Sequence, residues 1–180
     1  MAKGKKNKVQ ASSSNNQSNN NTSSKLSTVS IVTITQCKRF PCLEILRDLI
    51  KDQTYKNIIE WVVVEGSKTS DDARKNAENI KKLQANLGLN FPLVYVEYVE
   101  GTKLGELRNR GNTTCKGDIT VCMDDDDYYP PDRVEHAVIK LESSKAKIAG
   151  CSAVLIYDYF LDKLYKFKEF GPNHSTNNCM

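Results

Sequence analysis

Apolar residues along the chain follow two periods in turn, and their alternation predicts a layered α/β fold. Val29-Ser-Ile-Val-Thr-Ile-Thr35 is a β-branched run that reads as a strand. Ile58 to Glu65, centred on Trp61-Val-Val-Val64, reads as a second. Between them Phe40-Pro41 opens a helix, since proline is tolerated in a first turn, and Cys42, Ile45, Leu46, Leu49 and Ile50 recur at helical spacing. Ser70-Asp71-Asp72 can cap a second helix whose stripe is Ala73, Ala77, Ile80, Leu83 and Leu87, closed by Gly88. Leu93 to Val99 is expected as a third strand, Lys103 to Cys115 as a third helix and Asp118 to Met123 as a fourth strand. Pro131-Asp132 starts a fourth helix carrying Val134, Val138 and Leu141, and Lys147 to Tyr157 and Lys163 to Phe170 read as two further strands. The early strands are continuous apolar runs, the pattern of a mostly parallel sheet with helices on both faces. Ligands of such sheets bind beyond the carboxyl ends of the strands. Thr35, Glu65 and the run Asp124-Asp125-Asp126-Asp127 stand at those ends.

The pattern is absent before Val29. Lysines dominate residues 1–8, and Ser, Asn, Gln and Thr dominate residues 11–25, too little apolar surface to offset ordering entropy. Residues 1–27 are therefore expected to form a disordered tail, and residues 28–180 one domain. The charge follows the same division. The chain carries a formal +4, yet residues 1–25 hold five lysines and no acid, leaving 21 basic against 22 acidic residues beyond them. The folded part is close to neutral, which removes most support for nucleic-acid binding. The six cysteines show no C-x-x-C spacing and follow no secretory leader, so reduced thiols are expected. No stretch approaches the roughly 18 apolar residues needed to span a bilayer. A soluble cytoplasmic protein is the expectation.

The acidic run carries the chemistry. Four adjacent carboxylates at the end of a buried strand repel one another, and a divalent cation is their natural partner. Mg²⁺ and Mn²⁺ take one or two carboxylates together with phosphate oxygens and water. An EF-hand is excluded, because the acids are adjacent rather than alternating. A P-loop enzyme is excluded by the lack of G-x-x-x-x-G-K-[ST].

Five segments in order resemble the nucleotide-binding half of a GT-A glycosyltransferase of the inverting, DXD-containing family 2 type. They are Val29-Ser-Ile-Val-Thr-Ile-Thr35, Leu49-Ile-Lys-Asp-Gln-Thr-Tyr-Lys-Asn57, Val62-Val-Val-Glu-Gly-Ser67, Leu107-Arg-Asn-Arg-Gly111 with Lys116-Gly-Asp118, and Cys122-Met-Asp-Asp-Asp-Asp127 with Pro130. The resemblance implies transfer of a sugar from a nucleoside diphosphate donor, a UDP-sugar, to an acceptor hydroxyl on a glycan or protein, with Mn²⁺ or Mg²⁺ as cofactor. It makes Glu65 the acid that recognises the base and brings Arg108 to the base or diphosphate. Asn109 and Arg110 are weaker candidates. Asp126 would bind the metal, Asp124 the metal or ribose, and Asp125 would serve either task, while Asp127 points away. Thr33 and Thr35 lie near the nucleotide by topology, and His174 could approach metal or sugar.

The resembled family takes its general base from a motif beyond the second half of the fold. In this chain Asp158, Asp162 and Glu169 are available, with nothing to single one out. Three arrangements follow: a fragment, a partner chain that completes the acceptor site, or a catalytically incomplete module that binds sugar nucleotide. A sugar-nucleotide pyrophosphorylase would carry G-x-G-T-R after the first strand, where this chain has Thr35-Gln-Cys-Lys-Arg39.

Overall fold

The computed structural model describes residues 26–144, 146–151 and 155–166. Its centre is a parallel sheet in the order β3-β2-β1-β4, from β1 (Val29–Thr35), β2 (Ile58–Glu65), β3 (Leu93–Val96) and β4 (Ile119–Cys122). The connecting helices are α1 (Phe40–Lys51), α2 (Ser70–Ala85) and α3 (Leu104–Thr114), and α4 (Arg133–Glu142) follows β4. A 3-10 turn at Cys37–Arg39 joins β1 to α1. The mostly parallel sheet covered on both faces is thus as the apolar runs predict. Two expectations shorten. β3 ends at Val96 rather than Val99, because β2 offers it a ladder only from Trp61 to Val64. The strand expected over Lys147 to Tyr157 does not form in its first part, since residues 147–150 are irregular and Cys151 makes only an isolated bridge; β5 (Leu155–Asp158) pairs antiparallel with β6 (Lys163–Lys166).

Side-chain parity divides the core in two. Val29 and Ile31 of β1, Trp61 and Val63 of β2, and Val121 of β4 with Met123 just beyond it face α1, α2 and α4, meeting Leu43, Leu46, Ile50, Ile80, Leu83, Val134 and Val138. The opposite residues Val32, Val62 and Val64 face α3 and pack on Leu107. The sheet is buried on both sides, which is why its strands lack a polar alternation. α3 lies unusually near: a Cβ on Gly111 would come within 2.6 Å of Val32 Cγ2. Trp61 is fully buried, and its indole N–H donates to Thr33 Oγ1 at 2.9 Å.

Several of the resembled segments serve the scaffold. Gln53 donates from Nε2 to the carbonyls of Leu49 (3.1 Å) and Pro130 (3.0 Å) and accepts the Val134 N–H at 3.0 Å, capping α4. Thr54 adds a backbone bond to the Pro131 carbonyl and a hydroxyl bond to Glu135. Asn57 and Tyr55 donate to the carbonyls of Leu26 and Ser27, so these two residues, assigned by sequence to the tail, are held against the domain. Residues 1–25 lie outside the described residues. The Lys116-Gly-Asp118 turn locks the amino ends of β1 and β4 together: Asp118 accepts from the Thr28 N–H and hydroxyl, and the Gly117 N–H donates to Ser30 Oγ. α2 is capped by Thr69, whose hydroxyl accepts the Asp72 N–H, one residue before the capping sequence expected.

Candidate functional site

Parallel order puts β1 beside β4, so the turn after β1 meets the acidic run after β4. The run leaves the strand with its side chains still alternating. Asp124 falls on the α3 side, where it lines a shallow hollow with Val32, Ile34, Arg108, Asn112 and Cys122. Asp125 falls on the opposite side, where it is buried and accepts the Thr35 hydroxyl at 2.8 Å through Oδ2. Arg39 reaches the same place from the 3-10 turn. Its Nη1 lies 2.9 Å from Asp125 Oδ1, and its Nη2 pairs with Asp126. The near end of the segment that leaves the run is fixed by Tyr129, whose hydroxyl accepts the Asp124 N–H at 2.6 Å.

The electrostatics follow from crowding and burial. Burial pushes the Asp125 carboxyl above its ordinary value, with Asp126 and Asp124 adding repulsion, against the lowering effect of the Thr35 bond and Arg39. Asp127 is raised in the same direction, by desolvation first and then by Asp126 and Asp124, while a bond from Tyr129 opposes the shift. Cys122, beneath Asp124, is pushed up to about 12, chiefly by burial.

Glu65 is also at the sheet's carboxyl edge, in register with Thr35, but its surroundings differ. Its carboxylate is fully buried and accepts three donors: the Ser67 N–H at 2.7 Å, Asn76 Nδ2 at 2.6 Å and the Tyr95 hydroxyl at 2.7 Å. Desolvation, then the bond to Glu65, drive the Tyr95 phenol well above its ordinary value, so it stays neutral. The sequence-predicted residues therefore form two faces rather than one bowl. Arg108 and Asp124 share the α3 side, Thr35, Asp125 and Asp126 meet on the other, and Glu65 is enclosed nearby. Thr33 turns inward, donating to the Met123 carbonyl at 2.7 Å. Arg110 donates to the Glu97 carbonyl, and Asn109 is exposed. His174 and Glu169 lie outside the described residues. Asp158 is taken up within the hairpin by the N–H groups of Phe160 and Leu161, and Asp162 by the Tyr157 hydroxyl.

The donor set fits one kind of metal binding and not another. Among the described residues no three or more His, Cys, Asp or Glu side chains converge to hold an ion, so a closed protein cage is not built. Asp126, with its side chain 49% exposed, and the half-buried Asp124 offer oxygen ligands of the type that Mg²⁺ and Mn²⁺ share with phosphate and water. A larger hollow of about 250 Å³ lies between the end of α1 and the loop before β3, lined by Lys51, Lys56, Leu89 and Phe91 among others. It opens near Ile58, at the amino end of β2, the end of the sheet opposite the acids.

The fold and site define a parallel α/β domain that carries an acidic run at the carboxyl edge of its sheet. The chain belongs to glycosyl transferase family 2, whose model matches residues 30–176. Among solved structures it is similar to TarS 1-349 of S. aureus, at 20% identity and TM-score 0.50, over 67% of this chain and 34% of that one. The same TarS segment in complex with UDP-GlcNAc matches at 21% identity and TM-score 0.50, over 67% and 33%. The chain thus spans about a third of the length of the TarS segment. No curated protein matches it. Among the described residues no helix is long and apolar enough to cross a membrane.

Proposed function

We propose that this chain is the donor-binding part of a metal-dependent glycosyltransferase that moves a sugar from a UDP-sugar to an acceptor hydroxyl. The observation that carries the reading is the acidic run at the junction of β1 and β4, where Asp125 and Asp126 are presented beside Thr35 and Arg39 and Asp124 beside Arg108. The UDP-GlcNAc bound to the structurally similar TarS supports the choice of donor class. Asp126 and Asp124 would hold Mn²⁺ or Mg²⁺, which when bound supplies charge neutralisation for a departing diphosphate. Arg108, exposed on α3 beside the Asp124 hollow, would add a fixed positive charge for the phosphates. Thr35 keeps Asp125 oriented, and the Tyr129 bond to the Asp124 N–H keeps the backbone of the run in place. Glu65, with three donors already on it, would act on the base through Tyr95 and Asn76 rather than as an open acceptor. Asp158 and Asp162 are engaged in the hairpin turn, so the acceptor's base is assigned to neither. A partner chain or further polypeptide would complete the acceptor side.

The test is calorimetric titration of UDP, GDP and UDP-GlcNAc, each with and without Mn²⁺, into the wild type and Asp126→Ala. The expected result is Mn²⁺-dependent binding of the uridine ligands, lost in the variant with its fold unchanged. Equal affinity in the two proteins would refute the site assignment. Binding with no transfer to any acceptor would favour the catalytically incomplete module.

A further inference from the structure

The acidic run is not left bare. Arg39 bridges Asp125 and Asp126 from the turn after β1, an interaction spanning 87 residues of sequence. We propose that Arg39 is the chain's own counter-ion for this run, a positioning residue that a divalent cation displaces, so that metal binding is an exchange of cations. This rests on the donor-site reading given above and adds to it the residue that competes with the metal.

Three observations carry it. First, one guanidinium stands at the edge where the acids converge, touching the deep member and the shallow member of the run together. Second, the bridge has a fixed half and a movable half. Asp125 has no side-chain exposure and is tethered to Thr35, whereas Asp126 is 49% exposed and Arg39 42%. The Arg39–Asp126 arm can therefore swing into solvent without opening the core. Third, Asp125 Oδ1 lies 2.9 Å from the guanidinium yet makes no aligned hydrogen bond, so a buried anionic oxygen is left incompletely satisfied. A small divalent ion carries twice the charge and imposes no planar geometry. It can replace the guanidinium at Asp126, and the freed arginine remains at the rim.

A built-in competitor lowers the apparent affinity for the free ion by the fraction of time it holds the site. Arg39→Gln should therefore bind Mn²⁺ alone, without nucleotide, roughly fivefold more tightly than the wild type, the size of a partly exposed ion pair. Arg39→Lys, whose compact ammonium keeps the charge but lacks the planar fork that spans Asp125 and Asp126, should fall between them. The wild-type protein gives an independent readout. The Nη resonances of Arg39, followed by ¹⁵N NMR during titration with diamagnetic Mg²⁺, should shift and saturate with the midpoint of Mg²⁺ binding seen by calorimetry. Unchanged or weaker Mn²⁺ affinity in Arg39→Gln would overturn the inference alone. Arg39 resonances that stay fixed while Mg²⁺ binds would do the same, even if the variants fail to fold. Absence of cation binding in wild type and variants alike would overturn the donor-site reading with it.

Discussion

Gln53→Leu removes a side chain that ties three segments together, and its cost can be worked from the structure. Gln53 is 2% exposed. Its amide donates to carbonyls at the end of α1 and in the Pro130 turn, and its carbonyl accepts the Val134 N–H in the first turn of α4. Leucine fills nearly the same volume, so the cavity penalty is small. Each lost bond is worth about 0.5–1.5 kcal/mol net, and a buried N–H left without an acceptor raises its share toward the upper end. The total should be about 3 kcal/mol, a fall in Tm of roughly 6–12 °C for a fold of about 150 residues. Urea denaturation followed by the fluorescence of Trp61, the chain's single and fully buried tryptophan, measures this directly. Gln53→Glu keeps the acceptor for Val134 but turns a carboxylate toward two carbonyls, and should lose at least as much. A loss under about 1 kcal/mol in the leucine variant would mean that water replaces the amide, and the clamp would not be holding the segments.

Three further outcomes follow. Gly117→Ala places a Cβ 2.5 Å from the Ser30 backbone nitrogen in a central strand. It should cost roughly 2–3 kcal/mol while leaving UDP affinity per folded molecule unchanged, since the clash is at the opposite end of the sheet; a Tm within a degree of wild type would contradict this. Cys122, held at about 12 where an ordinary thiol lies near 9, should carry roughly a thousandfold less thiolate at pH 8. Mass spectrometry of iodoacetamide-treated protein should therefore find the exposed Cys151 modified well before Cys122, and early labelling of Cys122 would argue against its burial. Asp126→Ala should abolish Mn²⁺-dependent UDP binding without lowering Tm by more than a degree or two, because its side chain is half exposed.

What could be read from the chain depended on whether the deciding contact was local. The bounds of β1 and β2 and the start of α1 are legible to the residue, because strand and helix periods are set by neighbours within a few positions. The acidic run and its place at a strand end were legible for the same reason. Arg39 has no mark in the local pattern. Its meaning comes from Asp125 and Asp126, and only the 3-2-1-4 strand order brings the two turns together. A cation within four residues of the end of β1 was the available signal, and parallel topology would have directed attention to it. Glu65 shows the converse. Its position at a strand end suggested an open carboxylate, but Asn76 on α2 and Tyr95 on β3 enclose it, and neither partner is recognisable from local pattern. Gln53 and Lys116-Gly-Asp118 stand out in the sequence by their resemblance, while their work in joining distant backbone is visible only in three dimensions.

The way the run straddles the sheet has a consequence for how its length can vary. Asp124 belongs to one side and Asp125 to the other because extended backbone turns over at every residue. In most motifs an added or deleted residue would exchange inside for outside and ruin the arrangement. Here the neighbours are chemically identical, so a residue added to or deleted from within the run still leaves a carboxylate at Thr35 and another on the Arg108 side. The homopolymeric stretch works as a vernier, and register errors that would inactivate an alternating pair of ligands leave this edge acidic on both flanks.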